Sequence, residues 1–335
     1  MLAVRNARPS DLEAIYALAR ASGPGMTTLK ADRGALAARL ALVADSFAQR
    51  VAPTAADYLF VLEDGDTGRV CGVSAIKAAV GLDTPFYSYR VGAAVHAGQP
   101  APEPALYLSH DLAGAAELCS LYLHPDYRKG VNGRLLSKSR LLFIAQFRHL
   151  FPATIFAEMR GYQTEDGLSP FWESVGRHFF RMDFQDADDR CGAGERLFID
   201  QLMPRLPLYT RLLAADARDA IGRTHTATTP ARRLLEQEGL RFDGYVDIFD
   251  GGPVLQAQVR DLRAVRDSFT AHVSAVAAGE PAGAARLALL CHDNLANFRA
   301  IAAPLPARDA IDLTLAQRGA LQCGSGCTIR VLPLA

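Results

Sequence analysis

In the first half of the chain, short apolar runs alternate with stripes of apolar residues at helical spacing. Leu2 to Arg5 is a short strand candidate, and Pro9-Ser10-Asp11 precedes Leu12, Ile15 and Leu18, so a capped helix follows it. Leu36, Leu40, Val43 and Phe47 share one face and predict a helix over 32–49. The runs 58–62 and 70–76 flank Glu-Asp-Gly-Asp-Thr-Gly, which predicts a hairpin, and 86–91 reads as a further strand. Residues 117–123 are a strand, 124–133 a loop, and 134–147 a helix carrying Leu135, Leu136, Leu141, Leu142 and Ile144. A strand over 154–158, a helix over 171–176 and a strand-like 179–184 complete one α/β unit.

The second half is less regular. Residues 188–203, 211–221 and 230–238 read as helices, 245–249 as a strand, Asp250-Gly-Gly-Pro253 as a turn, and 279–283 as a surface loop before a small αβ tail. No short-period repeat is present. The expected division is an N-terminal unit over 1–185 and a second over 186–335.

With 335 residues, half of them apolar, the chain can bury two cores or one duplicated core. Basic and acidic residues balance at 36 each, and no basic cluster longer than a pair occurs, which argues against nucleic acid as a partner. Arg5, Arg8, Asp11 and Glu13 interrupt the N-terminus, so no signal peptide is expected there, and no apolar stretch reaches the roughly 18 residues of a membrane span. The expected location is the cytoplasm. Six thinly spread cysteines argue against a disulfide framework. Cys323-Gly-Ser-Gly-Cys327 reads as a glycine turn and not a metal or redox pair, since it lacks a second pair and clustered histidines.

Chemistry enters at 117–142. A strand, a glycine-bearing loop and a helix start aim several backbone N–H groups at one spot, where the helix dipole is positive. Such a spot suits a pyrophosphate like that of coenzyme A, whose thioester would lie along a strand edge with an N–H to polarise its carbonyl. Leu121-Tyr-Leu-His-Pro-Asp-Tyr-Arg-Lys-Gly-Val-Asn-Gly-Arg-Leu-Leu136 resembles the acyl-CoA motif of the GCN5-related N-acyltransferase superfamily, in which the loop runs Arg or Gln, two residues, Gly, one residue, Gly or Ala. Arg128 and Gly133 match its ends, whereas Val131 stands where glycine is usual and Gly130 comes one residue early. The resemblance implies acyl-CoA contacts from Leu121, Leu123, Arg128, Lys129, Gly130, Val131, Asn132, Gly133 and Arg134.

A narrower likeness covers nearly the whole chain. Tyr87-Ser-Tyr-Arg-Val-Gly92, Glu117-Leu-Cys-Ser-Leu121, Ala157-Glu-Met-Arg-Gly161, Ser169-Pro-Phe-Trp172, Phe180-Arg-Met-Asp-Phe184, Cys191-Gly-Ala-Gly194, Leu202-Met-Pro204, Pro230-Ala-Arg232, Glu238-Gly239 and Asp247-Ile-Phe-Asp-Gly-Gly-Pro253 resemble, in order, the arginine N-succinyltransferase family. The resemblance implies transfer of succinyl from succinyl-CoA, a co-substrate, to the α-amino group of L-arginine, with no permanently bound cofactor and no metal. It implies a duplicated GCN5-related N-acyltransferase-like fold of the α/β (α+β) class, with mixed, mostly antiparallel sheets flanked by helices. Two closing-helix-like segments, 169–184 and 231–249, agree with duplication. The family pattern also gives His225 as proton donor and Leu121 as a succinyl-CoA contact.

Residue chemistry bears on these assignments separately. Histidine titrates near neutrality and can pass a proton to a leaving thiolate, although a histidine just before a helix also reads as a cap or a surface residue. Cys119 lies mid-strand and reads as a packed small side chain, His124 as a loop residue, and Tyr127 and Tyr245 are unranked alternative donors. Arg90 and Arg160 are candidates to grip the succinyl carboxylate; Glu158, Asp247 and Asp250 are candidates for the acceptor's guanidinium, with ordinary ion pairs or turn caps the plainer reading of each. Ornithine or another basic amino acid as acceptor, and a non-catalytic subunit role, stay open. Homo- or hetero-oligomerisation is open too.

Overall fold

The computed structural model describes residues 1–23, 26–94, 102–192, 197–277, 286–305 and 310–334. Its strands are β1 (Leu2–Asn6), β2 (Asp57–Asp64), β3 (Arg69–Lys77), β4 (Ser88–Ala94), β5 (Glu103–Ser109), β6 (Ala116–Leu123), β7 (Thr154–Glu158), β8 (Leu208–Tyr209), β9 (Arg241–Val246), β10 (Pro253–Gln258), β11 (Phe269–Val276), β12 (Leu287–His292), β13 (Arg299–Pro304), β14 (Ala310–Leu313) and β15 (Thr328–Pro333). They join edge to edge in the order β14-β11-β15-β12-β13-β1-β2-β3-β6-β7-β10-β9-β4-β5-β8. Among the described residues only β6–β7 and β11–β14 run parallel, so the expected mixed, mostly antiparallel α/β architecture is present.

The first strand and helix form as their pattern predicts. Arg5 on β1 is buried and pairs with Asp11, 2.7 Å away, at the head of α1 (Leu12–Ser22), so one ion pair fixes where the helix leaves the sheet. α2 (Arg33–Phe47) is started by Asp32, whose Oδ1 accepts from the Ala35 N–H at 2.7 Å. The expected hairpin is β2–β3. Phe47, Tyr58, Phe60, Phe143 and Phe298 meet in one aromatic cluster, with Phe60 and Phe143 centroids 5.0 Å apart. Burying each such ring contributes about 2–3 kcal/mol.

α3 (Asn132–Gln146) is covered on more than its apolar stripe, because Ser137, Lys138, Ser139 and Arg140 are buried as well. Lys138 meets the buried Glu238 at 2.8 Å, and Arg263 meets the same oxygen at 2.7 Å, which ties the second half of the chain onto α3.

Several expectations give way. Residues 179–184 are not a strand: the helix Gly176–Phe180 ends at Arg181 with φ +52, and a further helix starts at Phe184. The expected helix over 188–203 appears as Phe184–Gly192 and Leu197–Leu202, its middle lying outside the described residues. The loop expected at 279–283 also lies outside them. β9 precedes 245–249 for the most part, and β5 had no counterpart in the predicted elements. Strands from either side of residue 185 interleave, since β4 pairs with β9, β7 with β10 and β1 with β13. Cys323 and Cys327 are disulfide-bonded, contrary to the plain-turn expectation; the Gly-Ser-Gly turn brings their Cα atoms to 5.9 Å.

Candidate active site

The parallel ladder of β6 and β7 holds only at Ala116–Ile155 and Glu117–Phe156. Beyond it the strands part, and a cavity of about 180 Å³ opens between Leu118–Leu121 and Ala157–Arg160. The opening is enforced on the β6 side by a bulge. Tyr122 pairs with Val73 and Cys119 with Ala75, so Ser120 and Leu121 have no register partners on β3. Ser120 takes φ +52, outside the usual range for a side-chain-bearing residue, and is held there by Thr28: its N–H donates to Thr28 Oγ1 at 3.1 Å and its Oγ to the Thr28 carbonyl at 2.9 Å. Arg39, paired with Asp57 at 2.8 Å, adds a 3.1 Å bond to Ser120 Oγ.

The loop after β6 leads from this cleft to the start of α3. A short turn, Pro125–Tyr127, is capped by His124, and Arg128 Nε donates back to the Leu123 carbonyl at 2.9 Å. Gly130 has φ +56, so the early glycine is the one the path requires; a Cβ on Gly133 would meet nothing within 4 Å. Val131 is the residue before the helix, and Asn132 Nδ2 donates to the Tyr127 carbonyl at 2.9 Å. Lys129 is exposed and Arg134 half-buried in the first turn. First-turn N–H groups have no intrahelical acceptor, so this end of α3 offers donors to an anion.

On the opposite side, Gly161 forms a bridge with Thr224, and the His225 N–H donates to the Arg160 carbonyl at 2.8 Å. His225 stands at the cleft rim behind Arg160 and does not itself line the cavity. Its Nδ1 accepts from the Ala227 N–H at 3.1 Å, so the capping role is real, and the proton of the neutral ring sits on Nε2. Burial, and then the Arg160 charge, push the imidazole pKa below the ordinary value of 6.5.

The cavity gathers charge of both signs. Glu158, Asp247 and Asp250 line it together with Arg140 and Arg160. Asp247 Oδ1 accepts from the Phe249 and Asp250 N–H groups at 2.7 and 2.9 Å. Asp250 is buried and bonded by the Gly161 and Gly252 N–H groups at 2.6 and 2.8 Å; burial, with the Asp247 charge next, raises its pKa well above its ordinary value. Arg160 bonds Gln163 through Nη2, while its buried Nε has no protein partner.

Of the residues singled out from sequence, Leu121, Glu158, Arg160, Asp247 and Asp250 come together in the cleft, and Leu123 and the loop residues 128–134 follow β6 without lining the cavity. Arg90 does not. It lies on β4 opposite Tyr245, beside a separate groove of about 660 Å³ lined by Asp111 and Tyr245, whose hydroxyl donates to Asp111 at 2.7 Å. Tyr245 is therefore away from the cleft, and Tyr127 faces Arg69 instead, 5.7 Å from its ring centroid. Cys119 lines the cavity, but burial raises its thiol pKa, as expected of a packed side chain. Sequence reading missed Thr28, Ser120 and Arg140. Arg140 had left a signal, since it falls on the helix stripe of Leu136 and Phe143, where a charge is out of place.

Comparison with known proteins agrees with this picture. A family model described as arginine N-succinyltransferase beta subunit matches residues 2–264. The chain is 44% identical over 340 residues to the arginine N-succinyltransferase of Escherichia coli (strain SE11), over 100% of this chain and 98% of the relative, and to the same degree to that of Shigella flexneri. The solved structure of arginine/ornithine succinyltransferase subunit AI from Pseudomonas aeruginosa superposes with a TM-score of 0.91 at 33% identity, covering 100% of this chain and 99% of that one.

Proposed function

Because the chain belongs to the arginine N-succinyltransferase family, we infer that it moves a succinyl group from succinyl-CoA to the α-amino nitrogen of L-arginine, giving N2-succinyl-L-arginine and CoA. The observation that carries this reading is the cleft between β6 and β7, where two guanidiniums and the carboxyl groups of Glu117, Glu158, Asp247 and Asp250 line a peeled strand edge. One substrate has a free carboxylate and a thioester, the other a guanidinium, a carboxylate and an amine. The cleft offers a complement to each.

In this reading the pyrophosphate of CoA sits at the first turn of α3, reached by the Gly130 turn, and the pantetheine arm runs along Leu123 and Leu121. The Leu121 N–H, freed by the bulge, polarises the thioester carbonyl. Glu158 and Asp247 hold the acceptor's guanidinium. The neutral amine attacks the carbonyl directly, since the Cys119 thiol is not ionised, and the C–S bond breaks as the amide forms. The amine loses a proton and the sulfur gains one. His225 points its Nε2–H at the departing sulfur as a hydrogen bond, and the sulfur takes up the proton that the amine releases, so the ring is neutral before and after the step.

The test is to mix the pure protein with succinyl-CoA and L-arginine and follow free thiol. Thiol release above an arginine-free control is expected, and none would sink the proposal. The name of the Pseudomonas aeruginosa protein includes ornithine and a subunit designation, so ornithine is a second acceptor to weigh and a second chain a possible companion. Rates with arginine, ornithine and lysine, each with and without a second chain, decide between them. Both substrates are internal metabolites, which favours the cytoplasm. The ranges 1–185 and 186–335 are proposed as two copies of one acyltransferase-like unit sharing a sheet, supported by a histidine-capped turn leading into a helix in each.

A further inference from the structure

Four buried or half-buried cations in the first half of the chain have carboxylate partners. Arg5 meets Asp11 at 2.7 Å, Arg39 meets Asp57 at 2.8 Å, Lys77 meets Glu117 at 3.1 Å and Lys138 meets Glu238 at 2.8 Å. Arg140 is an exception. It is 2% exposed, and among the described residues no carboxylate lies within ion-pair distance of it. Its bonds go to neutral acceptors at long range: Nε to the Ser137 carbonyl at 3.2 Å, Nη1 to the Cys119 carbonyl at 3.3 Å and Nη2 to Ser137 Oγ at 3.3 Å. A guanidinium has five N–H donors, so these three leave two unused. An unpaired buried charge costs several kcal/mol, and such a group persists where something else supplies the opposite charge.

The position of the guanidinium says what that something is. Arg140 lines the cavity, and it touches Cys119, two residues before Leu121 on the strand along which the thioester is proposed to lie. Along β6, toward the point where it meets β7, the cavity-lining order is Leu121, Ser120, Cys119. An acyl chain that continues inward past the thioester therefore reaches Arg140. Arg160, by contrast, stands beside the His225 turn and is left for the α-carboxylate of the acceptor. Burial lowers the Arg140 pKa to about 10, which still leaves it charged at neutral pH.

We propose that Arg140 binds the free carboxylate of the succinyl group and makes the enzyme select a four-carbon diacid donor over neutral acyl-CoAs. The inference rests on the donor reading above and deepens it. Arg140 is a specificity residue in this account: it takes no part in making or breaking the acyl bond.

The experiment compares kcat/KM for succinyl-CoA with that for butyryl-CoA, in which a methyl group replaces the carboxylate. In the unsubstituted protein the ratio is expected to favour succinyl-CoA strongly. Arg140→Gln is expected to lower the ratio about 100-fold, the scale of a lost charge-assisted pair, while transfer of butyryl changes only a few-fold. Arg140→Lys, which keeps the charge but loses the fork, is expected to fall in between. A folded Gln variant that keeps the original ratio overturns the proposal. Should that variant not fold, the Lys variant and the methyl ester of succinyl-CoA with the unsubstituted protein are read instead: no loss with either overturns it. If the unsubstituted protein transfers no succinyl at all, it is the donor reading that fails.

Discussion

Two histidines occupy turns of nearly the same shape. His124 has φ −56 and ψ 137, His225 φ −57 and ψ 139; in each, Nδ1 accepts from the N–H two residues on, at 3.4 and 3.1 Å. Each turn leads into a helix, α3 in one case and Thr229–Gln237 in the other. Their surroundings separate them. The His124 N–H is bonded to the Cys71 carbonyl and its ring lies 3.5 Å from the Asp126 carboxylate, outside the cleft. The His225 N–H is bonded to the carbonyl of Arg160, a cavity residue, whose charge helps to lower the ring's pKa. The cap is thus a property of the turn, and the role proposed for His225 rests on what its turn is docked against.

Four experiments would break or sharpen that contrast. The largest effect expected is from His225→Ala, which should lower kcat by about 100-fold with the fold intact, against less than about 3-fold for His124→Ala. Steady-state kinetics with circular dichroism measures both, and equal losses would end the distinction. Gly161→Ala comes next. Its Cβ would lie 2.4 Å from the Asp250 carbonyl oxygen, so the seat of the His225 turn must shift, at a cost of about 2 kcal/mol read by urea unfolding. Gly130→Ala forces φ +56 on a side-chain-bearing residue in open space, costing about 1 kcal/mol and raising the KM for succinyl-CoA more than that for arginine. Gly133→Ala, with nothing near its Cβ, should leave both unchanged.

The smallest effect is in pH. Because the folded His225 ring binds a proton less readily than the unfolded one, stability is full above about pH 6.5 and declines as pH falls through the lower folded value. Solvent screening at this half-exposed ring keeps the change well under about 1 kcal/mol. Protonation also removes the acceptor for the Ala227 N–H, so kcat/KM should fall on the same acid limb. A thermal-melt series with and without His225→Ala isolates the slope, and an identical slope in the variant would assign it elsewhere.

Local pattern was a good guide wherever local forces decide. The strand at 154–158, the hairpin, and the strand and loop before α3 follow from alternation, glycine turns and capping. The sequence reading failed where distant chain takes over. Residues 179–184 look apolar and β-prone, yet Trp172 and Phe249 pack around Phe180 and the left-handed Arg181 closes a helix instead. Lys138 reads as an exposed polar position of its helix, but Glu238, with Arg263 on the same oxygen, reaches it from the second half of the chain and buries it. Arg90 lies in a stretch with the family pattern, and nothing in the sequence tells that β4 runs beside β9 and not beside β7. For the site, residue types were legible and their assembly was not, because the cleft is made by strands whose partners are far along the chain.

The interleaved sheet has a consequence for biosynthesis. A ribosome that has released residues 1–160 has made both strands that part to form the cleft and the whole of the loop before α3, yet β7 lacks β10 and the cleft lacks the His225 turn, Asp247 and Asp250. During that interval one edge of β7 is open for pairing, and some hundred residues must emerge before its partner arrives. Until then the nascent chain has a half-built cleft, and it depends on its own later segments, or on a chaperone, to keep that edge from a wrong neighbour.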